Sequence, residues 1–92
     1  MINSFKHEGL QRFFEKGSTA GINPTQKTNL KMRLAALDTA SCIADMDLPG
    51  FRLHSLKGKK ERIWAIDVNK NWRITFEFKK GDAYIVNYGD YH

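Results

Sequence analysis

The second half of the chain carries His54 with Lys57, then Arg73, then the run Asp90-Tyr91-His92. Histidine can give or take a proton near neutrality, because its unperturbed pKa is about 6.5. Arginine and lysine neutralise anionic oxygens, and the planar fork of arginine matches phosphate. Tyrosine can stack on a planar base. An acid beside a histidine can assist or orient it. Taken singly, each residue has an ordinary structural use. A strand histidine packs or faces solvent, and Arg73 can pair with Glu77 on its own face. His7, beside Glu8 at a helix start, reads as a local cap or a surface residue.

The charge is unevenly spread. Residues 1–51 carry six Lys/Arg against five Asp/Glu, residues 52–80 nine against three, and residues 81–92 none against two. The basic middle segment implies an anionic partner, with nucleic acid as the default and a solvated face as the bland alternative. If the partner is RNA, cleavage without a metal needs a base for the 2′-hydroxyl, cations for the non-bridging phosphate oxygens and an acid for the departing 5′-oxygen. The histidines suit the proton roles, each typically worth about 10²–10⁴ in rate. Arg73 and Lys57 suit the cation role.

The elements that must hold these groups follow from pattern. Ile2 to Phe5 reads as a short strand. Glu8 to Lys16 reads as a helix with Leu10, Phe13 and Phe14 on one side and Gly17 as its C-terminal cap. Ser18 to Ile22 links it to a second helix. Asn23 can cap that helix, Pro24 fits its first position and Gln26 the capping-box position. It runs to about Ala40 on a stripe of Leu30, Leu34 and Leu37, with Lys27, Lys31 and Arg33 on a solvated face. Asp45 to Gly50 is a loop. Strands follow at Phe51–Leu56, Arg62–Val68, Trp72–Lys79 and Ala83–Tyr88. Between them lie a basic turn, a three-residue turn at Asn69-Lys70-Asn71 that uses positive φ at Asn, and a turn at Lys80-Gly81-Asp82. Trp72, Ile74, Phe76 and Phe78 share the core face, and Arg73, Thr75, Glu77 and Lys79 the open one. This is an α+β domain: a short N-terminal strand, then two helices packed on an antiparallel sheet.

Ninety-two residues make one domain, 1–92, with one modest core. Cys42 is the single cysteine and the three histidines are scattered, so neither an internal disulfide nor a metal-ligand spacing appears, and no cofactor is expected. No apolar run reaches the roughly 18 residues of a membrane span and the N-terminus lacks a signal-peptide core, so a cytoplasmic protein away from membranes is expected.

Three signals occur together and in order: His54-Ser55-Leu56-Lys57-Gly58, Asn69-Lys70-Asn71-Trp72-Arg73 and Asp90-Tyr91-His92. With Arg33 to Asp38 and Gly81 to Tyr84, they resemble the HigB branch of the RelE-like toxins of bacterial type II toxin–antitoxin modules over essentially the whole chain. The resemblance implies a fold similar to the small microbial ribonucleases and a ribosome-dependent endoribonuclease that cuts messenger RNA in the decoding (A) site. It implies as partners the 70S ribosome with its 16S RNA and a helix-turn-helix, HigA-like antitoxin, the latter in a heterotetramer. The family's functional positions fall on His54, Lys57, Arg73, Asp90, Tyr91 and His92. The resemblance makes His54 and His92 the proton-transfer pair, with Asp90 assisting, Arg73 and Lys57 on the scissile phosphate and Tyr91 stacked on a base. Lys59, Lys60, Arg62 and Lys70 fit ribosomal RNA backbone contacts. Members often carry an acid before Asp-Tyr-His, where this chain has Gly89. A non-catalytic RNA- or ribosome-binding module and a free-standing ribonuclease are the competing readings.

Overall fold

The computed structural model describes residues 1–56 and 62–90. Two helices, α1 (Glu8–Lys16) and α2 (Lys27–Thr39), precede four strands: β1 (His54–Ser55), β2 (Ile63–Asp67), β3 (Trp72–Lys79) and β4 (Asp82–Asp90). Single 3₁₀ turns stand before α2 at Pro24–Gln26 and after it at Ile43–Met46. The strands lie in sequence order and each pair is antiparallel. The expected basic turn, with Lys57, Lys59 and Lys60, lies outside the described residues, as do Tyr91 and His92.

Local chemistry sets the helix ends. His7 Nδ1 accepts from Leu10 N–H at 3.0 Å, so the first histidine is a cap. Gly17 ends α1 with φ 75°, donating its N–H to the Phe13 carbonyl. Asn23 Oδ1 accepts from Thr25 N–H at 3.1 Å and opens the 3₁₀ turn that leads into α2. Gln26 does not complete a capping box as expected. It is buried, and its Oε1 accepts from the Tyr88 hydroxyl, which in turn accepts from Asn23 N–H. Between α1 and α2 the backbone passes very close to itself. A Cβ on Gly9 would lie 2.4 Å from the Gly21 carbonyl oxygen, so only glycine fits there.

One face of the sheet and both helices close a single core. Leu10, Leu30, Leu34 and Leu37 meet Ile66, Ile74, Phe76, Ala83 and Val86, with Met46 and Phe51 filling from the loops. Trp64, Phe78 and Trp72 are half-buried at its border, and the Trp72 ring lies 4.8 Å from that of Tyr88. The assignment of the even positions of β3 to the core holds.

Several local expectations change. The N-terminal strand is only two isolated parallel bridges to β4, Ile2 with Ala83 and Phe5 with Val86. Strict pairing fails between them because β4 carries a bulge. The register with β3 slips between Thr75 and Glu77, and Ile85 takes φ 47°. Ser4 Oγ accepts the Ile85 N–H at 2.8 Å in the gap. The bulge lets Ala83, Val86 and Tyr88 all reach the core, three and then two residues apart. The expected strand at Phe51–Leu56 shrinks to His54–Ser55, because Gly50 (φ 84°) and Arg52 (φ 51°) interrupt the extended backbone. The turn at 69–71 needs no left-handed asparagine. Asn69 Oδ1 accepts from the N–H groups of Asn71 and Trp72, both at 3.1 Å. The left-handed turn residues are instead Lys80 (φ 52°) and Gly81 (φ 83°), the pair a two-residue primed hairpin requires.

Candidate active site

The site is built on the sheet face turned away from the helices. Residues directly paired across strands project from the same face. His54, Ala65, Thr75 and Asn87 therefore form one row across all four strands. Asp67, Arg73 and Gly89 form the next row. His54 and Arg73, chosen from sequence for proton transfer and phosphate binding, stand on one face in adjacent rows. Ala65 between His54 and Thr75 is fully buried, and His54, Thr75 and Arg73 are each half-buried.

His54 is held by its own strand. Its Nδ1 lies 2.7 Å from the Arg52 carbonyl oxygen. A carbonyl only accepts, so Nδ1 carries the proton. In the neutral ring Nε2 is then the acceptor nitrogen, the form a general base needs. Protonated, the same ring is an acid.

Asp90 closes β4 opposite Trp72 and is exposed. Trp72 precedes Arg73 on the alternate side of the pleat, so the register does not bring Asp90 into the Arg73 row. Arg62 and Lys70 are exposed, one just before β2 and the other in the turn after it. The Glu77 carboxylate lies 3.5 Å from Lys79 Nζ, farther along the same strand. Lys57, Lys59, Lys60, Tyr91 and His92 lie outside the described residues.

One basic residue read as solvated is not. Arg33 is buried at 7% exposure, inside the molecule. Its Nε donates to the Asp67 carbonyl, its other nitrogens to the carbonyls of Asn29 and Gly50, and its guanidinium sits 4.6 Å over the Phe51 ring. Burial lowers its pKa, and the nearby Asp67 charge raises it again in part. Arg33 thus ties α2 to the end of β2 and to the loop before β1, the segments that position His54 and Arg73. The sequence pattern missed it because arginine on a helix is ordinarily solvent-facing. It also missed Asp67. That signal was legible: a three-residue turn at 69–71 puts Val68 opposite Trp72, and so Asp67 opposite Arg73.

Two helices on one face of an antiparallel meander, with a histidine and an arginine in adjacent rows on the other, fit the RelE-like toxin architecture. A family model described as the RelE-like toxin of type II toxin–antitoxin system HigB matches residues 3–92. The chain is 51% identical over 92 residues to a Proteus vulgaris protein named endoribonuclease HigB, covering all of both chains. It is 32% identical over 85 residues to the toxin HigB-1 of Vibrio cholerae serotype O1, covering 90% of each. The chain belongs to the HigB-like toxin family. Among the described residues, no helix is long and apolar enough to cross a membrane.

Proposed function

We propose that this toxin is an endoribonuclease that cuts messenger RNA in the decoding site of the translating ribosome. The whole-length match to a protein named endoribonuclease supports the nuclease part of this reading, and the decoding site is what the family resemblance implies. His54 and Arg73, on the open face, supply suitable chemistry. His54, with Nδ1 tied to a carbonyl, offers Nε2 to the 2′-hydroxyl or to the leaving 5′-oxygen, with His92 as its counterpart in the other proton step. Arg73, helped by Lys57, stabilises charge on the phosphate. Tyr91 stacks on a base and splays it from its neighbour, and Asp90 assists His92. Arg62, Lys70, Lys59 and Lys60 hold ribosomal RNA by its backbone. The enzyme works in the cytoplasm, where its substrate is presented. A helix-turn-helix antitoxin neutralises it in a heterotetramer.

Primer extension on one defined message, with and without programmed ribosomes, tests the proposal on wild type and His92→Ala. Cuts at codon positions that need ribosomes and vanish in the variant are the expected result. Cuts on naked RNA would make the protein a free-standing ribonuclease. A stalled-ribosome footprint without cuts would make it a binding module.

A further inference from the structure

The Arg73 row contains an acid that the proposed chemistry does not use. Continuing the β1–β2 register by two places sets Arg52 opposite Asp67. The backbone slips by one from that register, since Asp67 N–H donates to the Phe51 carbonyl at 2.7 Å, but the side chains still meet: Arg52 Nε lies 3.6 Å from Asp67 Oδ2. On its other flank Asp67 is paired with Arg73. Val68 N–H donates to the Trp72 carbonyl at 2.8 Å. That makes 68 and 72 the hydrogen-bonded pair and 67 and 73 the non-bonded one, in which side chains approach most closely. Gly89 completes the row with no side chain, and a Cβ there would meet nothing within 4 Å among the described residues. Arg52 and Arg73 thus flank Asp67, and Gly89 lies beyond Arg73.

The carboxylate is loosely satisfied for its depth. The Asp67 side chain is 15% exposed, and its Oδ1 is buried with no hydrogen-bond partner among the described residues. The Arg52 contact is an ion pair beyond hydrogen-bond length, from a side chain that is 81% exposed. Arg33 hydrogen-bonds the Asp67 carbonyl, and the charge of the Asp67 carboxylate acts on its guanidinium without a hydrogen bond between them. A buried charge with an orphaned oxygen is unfavourable and calls for an explanation. The row supplies one. A phosphate on Arg73 meets a cation whose field is partly cancelled by the acid beside it.

We infer that Asp67 is a positioning residue for Arg73, an anionic counterweight that orients the guanidinium and moderates its hold on RNA phosphate. The inference rests on the reading of Arg73 as the phosphate-binding cation of an endoribonuclease. Without the charge, RNA is gripped more tightly and aligned less well. Affinity and rate then move in opposite directions, which a purely structural acid cannot produce.

The test compares wild type, Asp67→Asn and Asp67→Glu on 70S ribosomes programmed with a message. Binding is read on a message methylated at the scissile 2′-oxygen, and single-turnover cleavage on the unmodified one. Asp67→Asn should bind more tightly, and its plot of log affinity against log salt should steepen by about 0.7, one more cation on a single strand. Its cleavage should slow by at least about tenfold, as a displaced positioning group predicts. Asp67→Glu keeps the charge, so its salt slope should match wild type while its cleavage slows. If the asparagine variant does not fold, the glutamate variant decides: cleavage at the wild-type rate overturns the inference. An asparagine variant with wild-type slope and rate overturns it too. So do binding and cleavage that fall together with the melting temperature. Wild type that binds but never cuts the message refutes the enzyme reading itself, and the inference with it.

Discussion

At the scale of single residues, the open face separates chemistry from support. Arg73 and His54 lie off the core, so Arg73→Ala and His54→Ala should each abolish cleavage of programmed message and keep the wild-type circular dichroism melt. A variant that unfolds would show that its side chain serves packing. Tyr88 is the opposite case. Burial of its phenol raises its pKa above the ordinary value of about 10, and the hydrogen bond from Asn23 N–H offsets this only in part. A raised pKa means that the folded chain holds the proton more tightly than the unfolded one. Tyr88 therefore contributes stability that is complete below about pH 10 and is lost as pH rises through the folded pKa. Urea midpoints measured from about pH 9 to about pH 11 should fall more steeply for wild type than for Tyr88→Phe. At neutral pH the same variant leaves the buried Gln26 Oε1 without its donor, and should lose about 1–3 kcal/mol.

At the scale of elements, β4 is where regular pairing and the core disagree, and the core wins. Alternation would send Ala83 and Ile85 to one face and Val86 to the other. The bulge buries both Ala83 and Val86 and leaves Ile85 41% exposed at φ 47°. A β-branched residue rarely takes that conformation, and the left-handed region costs an L-residue roughly 1–2 kcal/mol. Asparagine tolerates it, and little apolar burial is at stake. Ile85→Asn should gain about 1 kcal/mol and raise the melting temperature by about 4–8 °C. A comparable fall in a thermal melt would mean that the isoleucine makes a packing contribution its exposure hides. The same bulge explains why the N-terminal segment bridges β4 at two points and forms no continuous strand. Ser4 fills the interval with its hydroxyl, so the edge of the sheet stays covered.

At the scale of the whole molecule, one core must support a sheet whose other face is free to bind. The Cα radius of gyration is 12.0 Å, about what a chain of this length reaches when fully compact. Phe76 lies at the centre of that core at 0% exposure, between Ile74 and Phe78 on the same strand. Phe76→Ala should cost about 3–5 kcal/mol, enough to leave so small a domain largely unfolded at 37 °C. A near-native melt would show that the two faces of β3 have been assigned the wrong way round. The same division gives the toxin its charge layout. Both helices and the apolar residues of β3 are committed to the core, and among the described residues Arg62, Lys70, Arg73 and Lys79 stay off it.

The amino-acid sequence by itself determined the α+β class, both helices, the limits of β3 and its core face. These follow from local periodicity and caps that act within a few residues: Leu10 with Phe13, Asn23 with Thr25, and alternation from Trp72 to Phe78. It also determined His54 and Arg73 as candidates, because their chemistry is intrinsic to the side chains. Tertiary structure alone decided what depends on contacts far along the chain. Arg33 is buried because Gly50 and Asp67 present carbonyls to it, and no helical pattern encodes that meeting. Gln26 turns from its expected cap toward Tyr88, sixty-two positions away. Ile85 bulges because two strand neighbours must share one core, and Arg52 meets Asp67 by its side chain although left-handed backbone at its own position breaks the strand. Each is a competition between a local preference and a distant partner, and only the folded chain contains both sides.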